Sequence, residues 1–421
     1  MKSKKKIYHI DENVPGKLLL PLALQHTFAM FGASVLVPIL FQINPGIVLF
    51  MNGIGTLLFI FVTKKKAPAY LGSSFAFLAP GTAIIASQGF EYAQGAFVVV
   101  GLIGCLLALM IKKFGIKWID VVLPPAAMGA VVALIGFELA GNTVTGGTIG
   151  ANLMTDTSQT LDWVVFGITL LTAVIGSITF KKFFSTIPIL IAIVVGYIAA
   201  LFCGMVDFSP VLEAKLFTIP NFQAPKFSIE AIIAMLPVLL VITSEHISHQ
   251  VVTSNIVGKD LLKDPGLHRS IFADNFSTAL SGLVGGVPTT TYGENIGVMA
   301  ITGVYSVQVI GAAAIISILM AFIGPLAALI QTIPGNVIGG VTFLLYGMIG
   351  TSGIRLLVDQ KVDYSKSKNL ILTSVIFIAG LSGLSLKFGS IQLSGMVLAS
   401  VLAVVLSGFL AILDKLHLSN E

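Results

Sequence analysis

The sequence predicts an all-α protein that crosses a membrane many times, in fourteen segments arranged as two inverted repeats of seven. Three observations predict this fold: the composition, a row of long apolar runs, and two short interrupted segments at corresponding positions. Of the 421 residues, 56% are hydrophobic and only 10% are charged, whereas soluble proteins carry about 25% charged residues. We therefore expect an integral membrane protein.

The apolar runs give the number of segments. Because about 20 helical residues cross the hydrocarbon core, we count full-length spans near 18–41, 46–63, 94–112, 118–140, 163–180, 186–206, 229–254, 269–286, 305–331, 335–357, 369–386 and 392–413. Two further apolar segments, 70–80 and 289–302, are shorter and are interrupted by glycine or proline. If each of them crosses as part strand and part half-helix, the total is fourteen.

The distribution of basic residues supports this count. When both short segments cross and both termini are cytoplasmic, 21 of the 24 lysines and arginines lie on the cytoplasmic side, and only Lys215, Lys226 and Lys387 lie outside. This is the asymmetry that the positive-inside rule describes. Treating the short segments as re-entrant loops that do not cross would invert the loops between Lys112 and Arg269 and destroy the asymmetry.

The two short segments are third and tenth in order, so they occupy the same position in each half of seven. A repeat with an odd number of crossings forces the second half to be inverted relative to the first. Paired short or Gly/Pro-interrupted segments in corresponding positions indicate the binding site of a secondary transporter. We therefore expect the functional site where segments 3 and 10 meet.

The eighth segment carries titratable groups at membrane depth, in the stretch TSEHISHQ (243–250). Glu245 and His249 are four residues apart and share one helix face, whereas His246 is turned away and is expected to pack or lie at an interface. Ionisable groups in a membrane are costly, so a functional role is the first interpretation, with a polar staple between helices as the alternative. A zinc protease is excluded because its motif needs two histidines four apart.

The tenth segment adds a second acid, Glu294, where TTTYG should be extended and ENIGVMAIT helical. The third segment should switch in the same way at Ser73, Ser74 and Phe75. Two helix starts at mid-membrane would present N–H donors, and the two carboxylates would present acceptors. This array suits a small planar ligand with alternating carbonyls and ring N–H groups, such as a uracil-like imide, better than an inorganic anion or a sugar.

The acids also indicate the energy source. Two carboxylates in a site of low dielectric repel each other, which favours a bound proton on one of them, and His249 is a partner on the same face. No ATP-binding motif occurs in the chain, so we expect proton coupling. Asp274 in the ninth segment is a further buried acid, either in the proton relay or bracing the half-helices.

Several stretches resemble the nucleobase-ascorbate transporter family, also called nucleobase:cation symporter-2. The signature-like stretch is ENIGVMAITG (294–303), and the Gln-His motif of the first span is carried by Gln25 and His26 in LQHTFAMFGASVLVP (24–38). GSSFAFLAP (72–80), the region 244–275 and FLLYGMIGTSGIRLL (343–357) also match. The resemblance covers nearly the whole chain, and it is strongest to the bacterial members that import uracil.

The resemblance implies a core domain of residues 17–114 and 227–331 (segments 1–4 and 8–11) and a gate domain of residues 117–206 and 335–413 (segments 5–7 and 12–14). It implies that the base is bound by Glu245, Glu294, His249, Phe75, Gly293 and Tyr346, of which Glu245, Glu294 and His249 couple protons. We expect support from Gln25, His26, Ser74, Asn295, Asp274 and Gly303. Gly303 stands where the family signature often has Arg or Lys, which bears on selectivity.

The leading hypothesis is a proton-coupled uracil symporter in the cytoplasmic (inner) membrane of a bacterium, working by alternating access. Alternatives are a xanthine, urate or other purine symporter, or an uncoupled channel or anion carrier on the same fold. An enzyme is disfavoured because no nucleophile or metal set is present. The expected partners are a nucleobase, protons, membrane lipid and a second copy of the chain bound through the gate domain. We expect no nucleic acid, no metal and no cofactor besides the coupling proton.

Overall fold

The protein is described by a computed structural model that covers residues 7–115, 117–145, 150–388 and 391–418. Within these ranges it consists mainly of helices, with two small two-stranded sheets. The first half contains α1 (Gly16–Leu40), α2 (Pro45–Val62), β1 (Leu71–Ser73), a 3-10 turn (Phe75–Phe77), α3 (Leu78–Gln88), α4 (Phe90–Phe114), α5 (Lys117–Val122), α6 (Pro125–Leu139) with a following 3-10 turn (Ala140–Thr143), α7 (Thr160–Thr179), a 3-10 turn (Lys182–Thr186) and α8 (Pro188–Phe202).

The second half follows a linker that contains the short helix α9 (Ser209–Glu213). Its elements are α10 (Ile229–Met235), α11 (Val238–Val257), a single π-helical turn (Leu262–Gly266), α12 (Leu267–Val284), β2 (Thr289–Thr291), α13 (Gly293–Thr302), α14 (Val307–Met320), α15 (Gly324–Gln331), α16 (Gly335–Asp359), α17 (Ser367–Leu381), β3 (Ser385–Phe388), β4 (Ile391–Ser394) and α18 (Gly395–Lys415).

Capping side chains mark the starts of α2, α7, α10 and α14. The Asn44 side chain accepts a hydrogen bond from the Gly46 N–H at 2.7 Å, and Pro45 occupies the first position of α2, where a missing N–H costs nothing. At the start of α7, Gln159 and Asp162 form a reciprocal capping box. At these helices a local signal fixes where the apolar run becomes helical.

Eight helices in the described ranges are long and apolar enough to cross a membrane: Gly16–Leu40, Pro45–Val62, Phe90–Phe114, Pro125–Thr143, Thr160–Thr179, Ile229–Val257, Gly335–Asp359 and Gly395–Lys415. Four shorter apolar helices accompany them: Phe75–Gln88, Pro188–Phe202, Val307–Met320 and Ser367–Leu381. Each apolar run of the sequence coincides with one or two helices of the structure. The exact number of fourteen crossings stays a prediction.

Some predicted boundaries were wrong. The run 305–331 is not one helix, because it is broken at Ala321–Ile323 into α14 and α15. At this break the linker pairs with the chain: the Thr218 N–H donates to the Phe322 carbonyl at 3.0 Å, and the Gly324 N–H donates to the Leu216 carbonyl at 3.1 Å. The last two predicted spans also extend beyond their helices. α17 ends at Leu381 and α18 begins at Gly395, and the paired strands β3 and β4 lie between them.

The predicted strand-to-helix switches are confirmed in both short segments. β1 and β2 pair antiparallel, with Leu71 opposite Thr291 and Ser73 opposite Thr289, and each strand leads directly into a helix. The strands pass at very close range because Gly72 has no side chain. A Cβ atom at Gly72 would lie 2.3 Å from the Tyr292 ring, whose hydroxyl donates to the Ser73 carbonyl at 3.0 Å.

A threonine supports each strand from the preceding helix of its own half. The Leu71 N–H at the start of β1 donates to Thr56 Oγ1 of α2 at 2.9 Å, and we call this contact the first clamp. The Thr289 N–H at the start of β2 donates to Thr278 Oγ1 of α12 at 3.1 Å, which we call the second clamp. The same contact at equivalent positions of the two halves is a direct trace of the internal repeat.

The helices pack in two sets. In one set α4 lies along α12 and α2 lies along α14, and the paired strands are held between them. In the other set α6 lies along α16, α7 along α8, and α17 along α18. The division into a core and a gate domain stays a prediction, but this packing decides which residues face each other at the candidate site.

Candidate functional site

The paired strands bring the two half-helix starts close together, with Phe75 half-buried and Gly293 exposed. The turn at Phe75 follows β1, and α13 begins at Gly293 after β2. The first turn of a helix leaves N–H groups without partners inside that helix, and the positive end of its dipole points in the same direction. The extended segments therefore deliver N–H donors to one place at membrane depth.

α11 runs past these starts and carries Glu245 and His249 on one face, as the spacing predicts. His249 Nδ1 lies 2.9 Å from Thr291 Oγ1, and its Nε2 is 3.5 Å from where a Cβ atom at Gly293 would stand. The imidazole is thereby fixed against the last residue of β2. Glu245 is half-buried and lies close enough to Glu294 for the two carboxylates to interact electrostatically.

Glu294 opens onto a cavity of about 190 Å³ between the two sets of helices. Glu294, Gly297 and Ile301 form one face of α13 and line it together with α1, the α7–α8 region and α16. Glu294 is the single charged side chain among the described residues that line this cavity, and the remaining walls are mainly apolar. A ligand that enters would meet one carboxylate at the start of a half-helix.

Of the residues predicted to bind the base, Glu294 alone is among the described residues that line this cavity. The other five lie outside its lining: Glu245, His249, Phe75, Gly293 and Tyr346. Tyr346 is buried in α16, and its neighbours Leu345 and Met348 form the wall instead. The Tyr346 carbonyl packs so closely on α6 that a Cβ atom at Gly136 would lie 2.0 Å from it. Phe75 is half-buried near the strand crossing, and Ser74 donates its backbone N–H to the Pro288 carbonyl at 2.9 Å.

Asn295 and His26 connect α13 to α1 directly below the helix start. The Asn295 amide donates to the His26 carbonyl at 3.1 Å and lies 3.1 Å from His26 Nδ1. Because an amide nitrogen is a donor only, Nδ1 must be the acceptor and the neutral imidazole carries its hydrogen on Nε2. Gln25 precedes this histidine and is half-buried.

Asp274 and His246 form a buried pair beside the site. His246 Nδ1 lies 2.7 Å from Asp274 Oδ2, and both side chains are at most 3% exposed. The Thr290 hydroxyl donates to the same carboxylate oxygen at 3.4 Å, so the pair touches the middle residue of β2. Asp274 therefore contacts the strand that leads into α13, and His246 packs inside the protein. The two roles expected for Asp274, bracing the half-helices or relaying a proton, stay predictions.

Gly303 lies at the far end of α13, about 13 Å from Glu294 for nine residues of helix. Its φ of +69° ends the helix in the left-handed region, and its carbonyl accepts the Tyr8 N–H at 3.0 Å. Residues 8–10 run alongside 303–307, and the Tyr305 N–H donates back to the Tyr8 carbonyl at 2.8 Å. Gly303 thus ends α13 and anchors the N-terminal segment, and it does not contact the cavity.

Sequence reasoning missed the supporting residues more than the acids. Thr56 and Thr278, which form the clamps, and the partnership of His246 with Asp274 were not foreseen. A signal existed, because Asn52-x-x-x-Thr56 and Asp274-x-x-x-Thr278 place a polar residue and a threonine one turn apart in corresponding segments. The periodicity of a helix predicts which residues share a face, but it does not predict which residue of another helix pairs with them.

Comparison with known proteins identifies a family and relatives. Residues 17–389 match the model of a permease family, Xan_ur_permease. The chain is 52% identical to the uracil permease of Paenibacillus larvae over 99% of this chain and 100% of that protein. It is 52% identical to the uracil permease of Escherichia coli K12 over 94% and 92%, and 44% identical to that of Bacillus subtilis over 96% and 95%.

Two solved structures are similar in fold. The transmembrane domain of the cyanobacterial bicarbonate transporter BicA superposes with a TM-score of 0.63 at 16% identity, covering 94% of this chain and 99% of that one. The murine Slc26a9 anion transporter in its inward-facing state gives 0.73 at 11% identity, covering 96% and 70%. Identity this low shows the fold alone, and that fold is the predicted inverted repeat.

Proposed function

This chain belongs to the permease family of nucleobase:cation symporters, and on that premise we propose that it imports uracil together with protons across the cytoplasmic membrane of a bacterium. It is a multi-pass transporter and not an enzyme. The observation that carries the proposal is a carboxylate, Glu294, at the start of a half-helix inside an otherwise mainly apolar cavity. The names of its relatives, uracil permeases at 44–52% identity, support the same substrate.

The recognition scheme follows from donor and acceptor chemistry. Uracil presents ring N–H donors beside carbonyl acceptors. Carboxylates of Glu245 and Glu294 accept from ring N–H groups, while backbone N–H groups at Phe75 and Gly293 donate to the carbonyls. The imidazole of His249, which is held by Thr291, contacts the same hydrogen-bonding edge of the base in this scheme. Bonds to charged groups are about twice as strong as neutral ones, so the carboxylates supply most of the affinity.

The cavity size favours a single ring. A cavity of about 150 Å³ is enough to hold benzene in a protein interior, and the space beside Glu294 is about 190 Å³. A pyrimidine fits this space, whereas a purine carries a second fused ring. The choice of uracil over xanthine or urate is supported by the names of the relatives.

Proton coupling is proposed from the arrangement of acids. Glu245 interacts electrostatically with both Glu294 and Asp274, and repulsion between carboxylates in a site of low dielectric favours a bound proton on one of them. A bound proton and a bound base then stabilise each other, which is the thermodynamic condition for symport. No other cofactor is needed in this scheme.

Alternating access would move the two sets of helices against each other around the cavity. We assign residues 17–114 and 227–331 to the moving core and residues 117–206 and 335–413 to a gate that also forms a homodimer. In this scheme both termini lie in the cytoplasm, because 21 of the 24 basic residues are then on that side.

The proposal is tested with purified protein in liposomes, by measuring uptake of labelled uracil with the outside made acidic. We expect uphill accumulation that collapses when a protonophore is added. Uptake that is downhill only and indifferent to the protonophore would favour an uncoupled channel or carrier. Accumulation of labelled xanthine without uracil would move the substrate to the purine class and leave the mechanism intact.

A further inference from the structure

The two halves support their strands through the same contacts, but the buried pair beside each clamp is chemically different. In each half the polar residue one turn before the clamping threonine is buried and contacts the first long helix of its own half. In the first half this residue is Asn52, whose amide donates to Ser34 Oγ of α1 at 3.0 Å. In the second half it is Asp274, which contacts His246 of α11 at 2.7 Å. A neutral pair in one repeat is therefore an ionisable pair in the other.

The strands differ at the matching position. Gly72, the middle residue of β1, has no side chain, whereas Thr290, the middle residue of β2 and its partner across the sheet, reaches Asp274 Oδ2 at 3.4 Å. In the second half the supporting pair is thus bonded to the strand that leads into Gly293 and Glu294. The first half lacks this connection.

The hydrogen bonds indicate the resting state of the pair. His246 Nε2 and Asp274 Oδ1 are buried, and neither has a hydrogen-bond partner in the described part of the chain. A hydrogen on Nε2 would be unsatisfied at a cost of about 1–3 kcal/mol. The favoured state is therefore a neutral imidazole that donates from Nδ1 to an ionised Asp274, with Oδ2 also accepting from Thr290.

We propose that the His246–Asp274 pair is a proton-dependent clamp on β2, which holds Thr290 firmly when the carboxylate carries its full charge and loosely when the pair takes up a proton. The added proton enters at Asp274 Oδ1, which has no hydrogen-bond partner in the described part of the chain. The carboxyl is then neutral and Oδ2 holds Thr290 less strongly, because hydrogen bonds to charged acceptors are about twice as strong as those to neutral ones. The inference deepens the proposed function and rests on it.

The groups that face the pair define what else titrates there. α11 contributes Glu245 and His249, and α13 contributes Glu294. α2 contributes no ionisable side chain, and α4 places Cys105 against the Phe272 carbonyl. α6 also packs on α11, but its acid, Glu138, is bonded elsewhere: it accepts the Met396 N–H of α18 at 2.9 Å. The pair is therefore one of several sites that respond to pH, and its contribution has to be isolated by substitution.

The test is equilibrium binding of labelled uracil to the purified protein at pH about 5.5 and about 8.5, on either side of the ordinary histidine value. For the unaltered protein we expect tighter binding at the acidic pH by on the order of tenfold, a typical coupling between two sites. Thr290→Val keeps the volume but removes the hydroxyl. We expect the affinity of this variant at alkaline pH to approach its affinity at acidic pH. The ratio of the two affinities should then fall below half of its value in the unaltered protein.

Three further variants make the result specific. Thr290→Ser restores the hydroxyl and should restore the ratio. Asp274→Asn mimics the protonated pair and should reduce the dependence of uracil affinity on pH. It keeps the inference testable if Thr290→Val fails to fold. Thr56→Val weakens the first clamp, where no ionisable group is present, and should keep the ratio while lowering affinity at both pH values.

The inference would be overturned if Thr290→Val or Asp274→Asn kept the ratio of acidic to alkaline affinity of the unaltered protein. It would also be overturned if Thr56→Val lowered that ratio as much as they do. Binding that does not depend on pH in the unaltered protein would also overturn it. Failure of the proposed function is a different result, the absence of gradient-driven uracil uptake in liposomes. A full ratio in the variants, together with gradient-driven uptake by the unaltered protein, would overturn this inference and leave the proposed function in place.

Discussion

At the scale of single residues, two glutamates occupy different surroundings around the same helix start. Glu294 lies at the first turn of α13 and opens onto the cavity. Glu245 is half-buried one helix away, facing Glu294 and Asp274. Charges that share a site titrate together, so their protons belong to the set and not to one residue. The different exposures still predict different consequences of substitution.

Replacing Glu245 by Gln should abolish uracil binding, because an acceptor for a ring N–H is then converted in part into a donor. Glu294→Gln should keep measurable binding but lose the part of its pH dependence that Glu294 supplies, since the acid at the cavity is removed. Labelled-uracil binding over a pH series measures both effects. Glu213→Gln on the exposed helix α9 serves as the control, and proton-coupled uptake retained in both site variants would contradict the scheme.

Thr291 should matter through the imidazole it orients. Thr291→Val removes the hydroxyl 2.9 Å from His249 Nδ1, a bond worth about 1 kcal/mol. We expect uracil affinity to fall about fivefold, the equivalent of that energy, with Thr291→Ser close to the unaltered protein. An affinity in Thr291→Val equal to that of Thr291→Ser would show that the bond does not position His249.

At the scale of elements, the crossing of β1 and β2 makes the site possible. Two half-helices can start at membrane depth only if the extended residues before them satisfy their own backbone groups, since lipid offers no partners. The antiparallel pairing, the clamps by Thr56 and Thr278, and the Tyr292 hydroxyl supply those partners. Close approach at Gly72 is the geometric condition for the pairing.

Gly72→Ala should therefore destabilise the protein. Its Cβ would stand 2.3 Å from the Tyr292 ring, and overpacking of this kind costs about 2 kcal/mol. We expect a clear fall in the Tm of the purified protein and weaker uracil binding. Gly167→Ala in α7, which meets nothing within 4 Å, is the matched control and should not lower Tm. An unchanged Tm for Gly72→Ala would mean that the strands can separate freely.

At the scale of the whole molecule, the cavity lies between the two sets of helices and each set contributes one wall. α1 and α13 face the α7–α8 region and α16 across it. The sets also touch directly, since a Cβ atom at Gly32 of α1 would lie 3.5 Å from the Ile189 Cβ of α8. Alternating access requires this contact to change during transport.

A disulfide between cysteines at Gly32 and Ile189 should therefore block uracil uptake, and a reductant should restore it. The separation of 3.5 Å suits a disulfide, whose Cβ atoms are about 3.5–4.5 Å apart. Cys105 and Cys203 are replaced first, since both are free thiols. The two single-cysteine variants, Gly32→Cys and Ile189→Cys, cannot form the cross-link; they are the control and should keep uptake under the same oxidising conditions. Transport by the oxidised Gly32–Ile189 protein would exclude relative movement at this contact.

The sequence by itself determined the class of protein, the apolar segments, the internal repeat and the strand-to-helix switches, because burial in lipid imposes length and polarity rules that act locally. It also singled out Glu245, His249 and Glu294, since charged groups at membrane depth are rare and expensive. Motif resemblance extended the set to residues such as Phe75 and Gly293.

Only the tertiary structure decided which polar groups meet. The break in the run 305–331, the removal of Tyr346 and Gly303 from the cavity wall, and the pairing of His246 with Asp274 all depend on contacts between segments distant in sequence. Helical and strand periodicity fixes the face on which a side chain lies but not the partner opposite. That partner is selected by the packing of the whole chain, which no local pattern contains.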